Sequence, residues 1–311
     1  MRRRTSLMFL TPLAALSLIG AGCGGGTKSG ETTGNTSASS NDPAAILGAV
    51  KSDDQTKPQK IAMEVGITLD GQINNPQAAA VLGNGPINLK LSGPVDPTAK
   101  SMDMAFDVRA GKIALPGNLR VLNETTAFVG LQDKWYAIPE SSLKSSTTKV
   151  ATDPAATLKS LGNPADLLDN ATVVGAEDIE GIATDHVSGD LNIDKLAAAM
   201  QRLSKSTESA ASQADAVAKL KEALKNGKVD VWVGQSDKLV HRLKFDMDVA
   251  VPAASQKTSM GITGAKVAFT VQSTPLSSVS VTAPSNPLTM QQFQNDLLTV
   301  IMSNMGSAPT P

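Results

Sequence analysis

Residues 61–69, IAMEVGITL, decide the fold because apolar side chains alternate there with polar or small ones. A period of two places alternate residues on opposite faces of a β-strand. The stretch therefore predicts a half-buried strand whose inner face carries Ile61, Met63, Val65, Ile67 and Leu69.

The same alternation recurs on both sides of the middle of the chain. It is found at 87–91 (INLKL), at 102–108 (MDMAFDV) and again within 229–233, 239–249 and 266–271, with turn-rich segments such as SGPVDPT between runs. Neighbouring strands joined by turns pair antiparallel, with one apolar and one wet face. Further short strands are expected at 119–123, 125–130, 134–138, 172–174, 182–188, 190–193 and 278–281.

Helical patterns separate and follow the strands. The expected helices begin at Asp42, with Pro43 in the first position, and then cover 153–161, 164–169, a segment capped by Asp194, 214–225 ended by Gly227, and 287–302. The order strands, helices, strands, helix is typical of an α+β domain with an antiparallel sheet backed by helices.

Composition excludes several classes of function. The 311 residues are 41% hydrophobic and 18% charged with a net charge of -1, so no basic excess is present to neutralise a nucleic acid. Aromatic residues are only 3%, too few for base-stacking sites, and one Cys with two His cannot form a Cys/His zinc site. We expect neither a metal nor a cofactor.

The N-terminus is typical of an export signal. Residues Arg2 to Arg4 are followed by an apolar run at 7–19, which is shorter than the roughly 20 residues of a membrane-spanning helix. We expect residues 1–22 to be a cleaved signal peptide, whose removal takes the net charge from -1 to -4. The arginines leave both the general secretory and the twin-arginine route open.

Cys23, the only cysteine, directly follows the small residues Gly20 to Gly22. This arrangement resembles a bacterial lipobox, although Gly20 stands where the usual pattern has Leu. Residues 24–41 are a Gly/Ser/Thr-rich tether, and 42–311 form the folded domain. We expect acylation of Cys23, with palmitate among the chains, to anchor the protein to the outer side of the cell membrane.

No catalytic constellation is present. The sequence has no nucleophile elbow, phosphate loop or dinucleotide-binding glycine pattern. Asp185 and His186 are adjacent strand positions that point to opposite faces, and His241 lies either in a pocket or as a satisfied core residue. Asp230, Asp246 and Asp248 suggest a calcium cluster or, as we prefer, a solvated face. The protein is not expected to be an enzyme.

The apolar face of the sheet leaves two interpretations open. Helices either fill it completely as a core, or leave a cavity lined by Met and aliphatic side chains that adapt to acyl chains. Both arrangements require the same periodicity.

The run 163–196, NPADLLDNATVVGAEDIEGIATDHVSGDLNIDKL, and the run 229–249, VDVWVGQSDKLVHRLKFDMDV, resemble the LppX/LprG family of actinobacterial lipoproteins. The matched features are the lipidated N-terminus, the Leu-rich helical stretch, and the positions Gly181, Thr184, Gly189, Val231, Trp232 and Val233. The resemblance covers most of residues 44–283. It implies a curved antiparallel half-barrel with helices over its concave apolar face, similar to the periplasmic carrier LolA.

The resemblance also implies a membrane-anchored lipoprotein of the cell envelope that binds or carries lipids or glycolipids in a hydrophobic cavity, without catalysis. The expected cavity residues are Met63, Val65, Met104, Phe106, Leu243, Phe245, Met247 and Phe269. The competing hypothesis is an anchored envelope lipoprotein whose packed domain binds another envelope protein. A carrier needs an internal void, whereas a binding module needs an exposed patch.

Overall fold

A computed structural model describes residues 41–51, 57–76, 78–79, 85–123, 125–143, 164–196, 198, 218, 221–251 and 261–306. Eleven β-strands account for most of them. The strands are β1 Gln59–Gly71, β2 Ile87–Asp96, β3 Ser101–Ala110, β4 Ile113–Asn123, β5 Thr126–Leu131, β6 Lys134–Ile138, β7 Leu168–Ile179, β8 Ile182–Leu191, β9 Leu224–Gly234, β10 Val240–Ala250 and β11 Ile262–Pro275.

All eleven strands form one antiparallel sheet with the order β6-β5-β4-β3-β2-β1-β11-β10-β9-β8-β7. The first and last strands pair with each other at its centre, so the two halves of the chain extend outward from the β1–β11 ladder. Strands β6 and β7 are the two edges, and the sheet is open. An open sheet of this size curls because its strands twist. The predicted α+β fold with a curved antiparallel half-barrel is confirmed.

Few helices accompany the sheet among the described residues. The main ones are α1 Pro43–Gly48, α2 Glu140–Leu143, a 3-10 helix at Pro164–Leu167 and α3 Met290–Gly306, with further short helical stretches that include 193–196 and 221–223. As predicted, Asp42 caps α1 by accepting a hydrogen bond from the Ala44 N–H at 3.0 Å, and Pro43 follows it. No helix in the described part of the chain has the length and apolar character needed to cross a membrane.

The register of the strands places their apolar positions on one face of the sheet. Directly paired residues share a face, and one row runs across β9, β10, β11, β1, β2 and β3 through Val231, Leu243, Val271, Met63, Leu91 and Phe106. A glycine continues this row on β4. A Cβ at Gly117 would lie 2.3 Å from the Phe106 ring and 2.5 Å from the Gly130 carbonyl oxygen, so only glycine fits beside that ring.

The structure differs from two of the expected helices, at 164–169 and at the end of 214–225. The helix expected at 164–169 is a 3-10 turn that ends at Leu167, because Leu168 already pairs with Leu191 in the β7–β8 ladder. Gly227 does not end a helix: it lies within β9, opposite Met247, where a Cβ would lie 2.7 Å from the Leu191 side chain. The expected helix at 153–161 and half of that at 214–225 lie outside the described residues.

Strand pairing also corrects the positions around 190–193. Residues 190 and 191 belong to β8, and a helical segment follows at 193–196. Its cap is Asn192 rather than Asp194, because the Asn192 side chain accepts from the Lys195 N–H at 2.9 Å.

The C-terminal segment differs from the expectation in a second way. Residues 278–281 form no strand, and the Thr282 carbonyl nearby accepts a hydrogen bond from Arg120 on β4 at 3.0 Å. Leu288 then pairs with the free edge of β6 through Trp135 and Ala137. Because this pairing holds the backbone extended, α3 begins at Met290 instead of 287.

Candidate functional site

The apolar face of the sheet is closed at one end. Ile61 and Val231 are 0% exposed and Met104 is 2% exposed, and all three belong to one buried core cluster. Residues Ile46 and Leu47 of α1 pack into the same cluster. This end of the face is a filled core, which holds the sheet together by burial of apolar area.

Burial falls along the central strands toward the other end of the same face. We call this end the open end and define it by nine half-buried side chains that face the same side as Ile61. They are Val65, Ile67, Ile87, Leu89, Phe106, Val108, Met247, Val267 and Phe269. The open end spans β10, β11, β1, β2 and β3.

The structure places all eight predicted cavity residues on this one face, although at different depths. Met104, Leu243 and Phe245 are buried in the core cluster. Met63, Met247 and Phe269 are half-buried and pack against that cluster. Val65 and Phe106 are half-buried and are not among its members.

The dimensions of the face suit extended hydrocarbon. From Met63 to Leu69 the face measures about 20 Å at about 3.3 Å per residue, somewhat longer than the roughly 15 Å of one bilayer leaflet. Phe245 and Phe269 line its middle with ring centroids 6.1 Å apart. The described side chains in the open-end rows are all apolar, so the surface offers dispersion contacts and no hydrogen bonds.

Charged residues of the same strands lie on the outer face. Glu64 pairs with Lys90 at 3.0 Å, and Arg120 donates to Asp103 at 2.7 Å while stacking over Trp135. Asp230, Asp246 and Asp248 also occupy this face. Their carboxylates contact His186, Lys244 and Asn226 respectively. In the described part of the chain no group of three or more His, Cys, Asp or Glu side chains is arranged to hold a metal ion.

Helix α3 covers the apolar face beside edge strand β6. The Phe293 ring contacts the Tyr136 ring edge-on at 5.2 Å. The Tyr136 hydroxyl donates to Asp296 at 2.6 Å, and Lys134 donates to the same oxygen at 2.9 Å. Burial, together with the Asp296 carboxylate, raises the pKa of Tyr136 to about 12, so the hydroxyl stays protonated and keeps donating. These contacts hold α3 against β6.

A polar cluster on the outer face ties together β7, β8 and β9. The Glu177 carboxylate accepts from the Trp232 indole N–H at 2.8 Å and contacts His186 Nδ1 at 2.8 Å. His186 Nε2 lies 3.1 Å from Asp230, and its ring stacks on Trp232 at 4.1 Å. The hydrogen bond from Trp232, followed by His186, lowers the pKa of Glu177. No pattern in the sequence predicted this cluster, because it depends on the registers of three strands.

The Glu177 interaction predicts a pH dependence. A carboxyl with a lowered pKa in the folded state contributes stability above its unfolded pKa of about 4.3 and loses it as the pH falls. We expect Glu177→Gln to lower the urea midpoint at pH 7, and we expect its difference from the wild type to shrink between about pH 5 and pH 3. The control Glu64→Gln, whose pair with Lys90 is solvent-exposed, is expected to parallel the wild type. A Glu177→Gln difference that stays constant over this range would contradict the assignment.

The second histidine is buried in the fold, with a polar partner at each ring nitrogen. His241 is 2% exposed and sits at an irregularity of the β9–β10 pairing. Its Nδ1 faces the Ser273 carbonyl oxygen at 3.1 Å and its Nε2 faces the Asp237 carboxylate at 2.9 Å. Both ring nitrogens are therefore engaged with fixed partners. Cys23 and residues 24–40 of the expected tether lie outside the described residues.

Comparisons with known proteins give likenesses among solved structures alone. No protein-family model and no curated protein matches the chain. The Mycobacterium tuberculosis lipoprotein LppX is 15% identical, with 78% of this chain and 100% of that one covered and a TM-score of 0.38. LprF from Mycobacterium bovis is 12% identical, with coverages of 78% and 96% and a TM-score of 0.39.

A third likeness is to a putative outer membrane lipoprotein-sorting protein domain from Vibrio parahaemolyticus. It is 8% identical, with coverages of 82% and 96% and a TM-score of 0.20. LppX, which gives its name to the family that the sequence resembles, is thus among these structural likenesses. All three TM-scores are below 0.5, so the fold of this chain is established by the strand order of its own sheet.

Proposed function

We propose that this chain is a lipid-anchored protein of the cell envelope that binds the acyl chains of a lipid or glycolipid on the open end of its apolar face, without catalysis. The supporting observation is the gradient of burial along that face. One end is a filled core, while the other keeps apolar side chains such as Val65 and Phe106 half-exposed. Exposed apolar surface that is contiguous on one face marks a binding site more often than a chance arrangement.

The energetics favour a ligand with long apolar chains. Covering apolar area gains about 25 cal/mol per Å², so a chain that lies along the whole open end recovers much of its transfer energy from a membrane. A polar ligand would find no hydrogen-bond partner among the described open-end residues. Anchoring through Cys23, predicted from the sequence, would hold the site near its lipid source.

Replacing Phe106 by tryptophan tests whether the open end holds a ligand or belongs to a filled core. The larger ring occupies ligand space, so we expect affinity for a diacyl phospholipid with a fluorescent parinaroyl chain to fall by about tenfold. The free energy of unfolding should change by less than about 1 kcal/mol, since the ring expands into unfilled volume. Both quantities are measured on the mature chain with Cys23→Ser, which cannot be acylated.

The matched control is Ala105→Trp, because Ala105 is the preceding residue of β3 and is exposed on the outer face. It should leave lipid affinity unchanged. Overpacking of a filled core by Phe106→Trp would instead cost about 1 to 3 kcal/mol of stability. That result, or unchanged affinity, would remove Phe106 from the site and favour a protein-binding module.

A further inference from the structure

The outward side of α3 has no charged side chain over its described length. Between residues 290 and 303 the sequence contains one charged residue, Asp296, and this carboxylate is turned inward to Tyr136 and Lys134. Leu298 and Met302 are 56% and 65% exposed. They are four residues apart and so lie on one helix face. The other exposed residues of this stretch are Gln291, Gln292, Gln294, Asn295, Thr299 and Ser303.

The hydroxyl groups on this side are already satisfied within the helix. Thr299 Oγ1 donates to the Asn295 carbonyl at 3.0 Å, and Ser303 Oγ donates to the Val300 carbonyl at 2.8 Å. Hydroxyls bonded in this way lose little when they leave water, because their donor remains paired. The outward side of α3 therefore combines exposed apolar area with hydroxyl groups whose donors are already paired.

We propose that the outward side of α3, centred on Leu298 and Met302, docks on the surface of a lipid bilayer. The inference rests on the proposed function, and it adds the surface through which the lipid site meets the membrane. The inner side of α3 packs on the apolar face beside β6 through Phe293. Docking would therefore bring the β6 side of the apolar face to the bilayer.

The length of the tether favours a bilayer over other partners, and the net charge determines the kind of contact. The mature chain carries a net charge of -4 by sequence, so attraction to anionic lipids is absent and contact must be apolar. Eighteen residues separate Cys23 from Asp42, and a Gly/Ser-rich chain of that length spans about 23 Å. An acylated Cys23 would thus keep the domain within one molecular diameter of the membrane.

A fluorescence measurement tests the docking directly. Because Cys23 is the only cysteine, the mature chain with Cys23→Ser accepts a single new thiol at Met302→Cys, labelled with the environment-sensitive dye NBD. On addition of neutral phosphatidylcholine vesicles we expect a blue shift and a severalfold rise in emission. Val174→Cys, labelled in the same way, is the control, because Val174 is 58% exposed on edge strand β7. It should not respond.

A second variant tests the apolar contribution. Leu298→Ser combined with Met302→Ser should lower vesicle binding in a flotation assay by at least about tenfold, whereas Val174→Ser should not. No shift at position 302, or equal shifts at 302 and 174, would overturn the proposal. Self-association of the chain through α3 without a vesicle response would also overturn it.

The two proposals fail separately. Binding of the parinaroyl phospholipid in solution, without any vesicle response at position 302, would refute the docking surface and leave the lipid site intact. A vesicle response at 302 in a chain that binds no parinaroyl lipid would support docking and refute the lipid site.

Discussion

Val65→Asp is expected to abolish binding of acyl-chain lipids while the domain remains folded. Val65 lies at the centre of the open end, paired with Leu89 of β2 and Phe269 of β11. A carboxylate there would have to be covered by hydrocarbon when the ligand binds. An ionised group transferred out of water without a partner costs several kcal/mol, so affinity for the parinaroyl phospholipid should fall by at least about 100-fold.

The folded state should tolerate this change because Val65 is half-buried and lies outside the core cluster. We expect the unfolding free energy in urea to fall by no more than about 1 to 2 kcal/mol. Thr68→Asp, three residues along β1 on the exposed outer face, is the control for both quantities. Retention of lipid binding by Val65→Asp would place the ligand elsewhere, and global unfolding would show that the open end is core.

The same substitution at the closed end should have the opposite effect. Val231 is 0% exposed and is paired with Leu243 on one side and Val187 on the other. An aspartate there is a buried charge without a partner, and we expect Val231→Asp to destabilise the domain by at least about 4 kcal/mol. Circular dichroism and urea unfolding would detect a chain that is largely unfolded at room temperature.

The pair of substitutions separates the two interpretations that the sequence left open. If the whole apolar face were a filled core, both aspartates would unfold the domain. If the open end binds lipid, only Val231→Asp should do so. Val231→Asp with near wild-type stability would contradict the position of the core.

Periodicity was sufficient to predict the antiparallel sheet and the inward face of its most regularly alternating strands. The alternation in IAMEVGITL and MDMAFDV identified β1 and β3 and their inward side chains. The short strands expected at 125–130 and 134–138 correspond to β5 and β6, which are separated by a turn at Gln132–Asp133. The pairing of β1 with β11 could not be predicted from the sequence, because it joins residues about 200 positions apart and depends on register. The degree of burial of each inward side chain could not be predicted either, because Val65 and Val231 follow the same alternating pattern and differ only in what packs on them.

Local signals were wrong where pairing overrode propensity. Gly227 has the character of a helix end, yet it extends β9 because Leu191 needs the space of a missing Cβ. Residues 278–281 have strand-like composition, but the β6 edge is occupied by Leu288 further along the chain. Residues Ile67, Ile87, Leu89, Val108 and Val267 of the open end were not among the expected cavity residues, although they follow the same alternation as Val65.

The central claim is that the open end of the apolar face holds acyl chains, and native mass spectrometry tests it most directly. The mature chain with Cys23→Ser would be purified from its own host, its intact mass recorded, and any bound molecule extracted and identified. We expect a stoichiometric adduct of a diacyl or triacyl lipid on the wild-type sequence and none on Val65→Asp. A clean unliganded mass of the wild type, unchanged after incubation with lipid vesicles, would contradict the claim and favour a protein-interaction module.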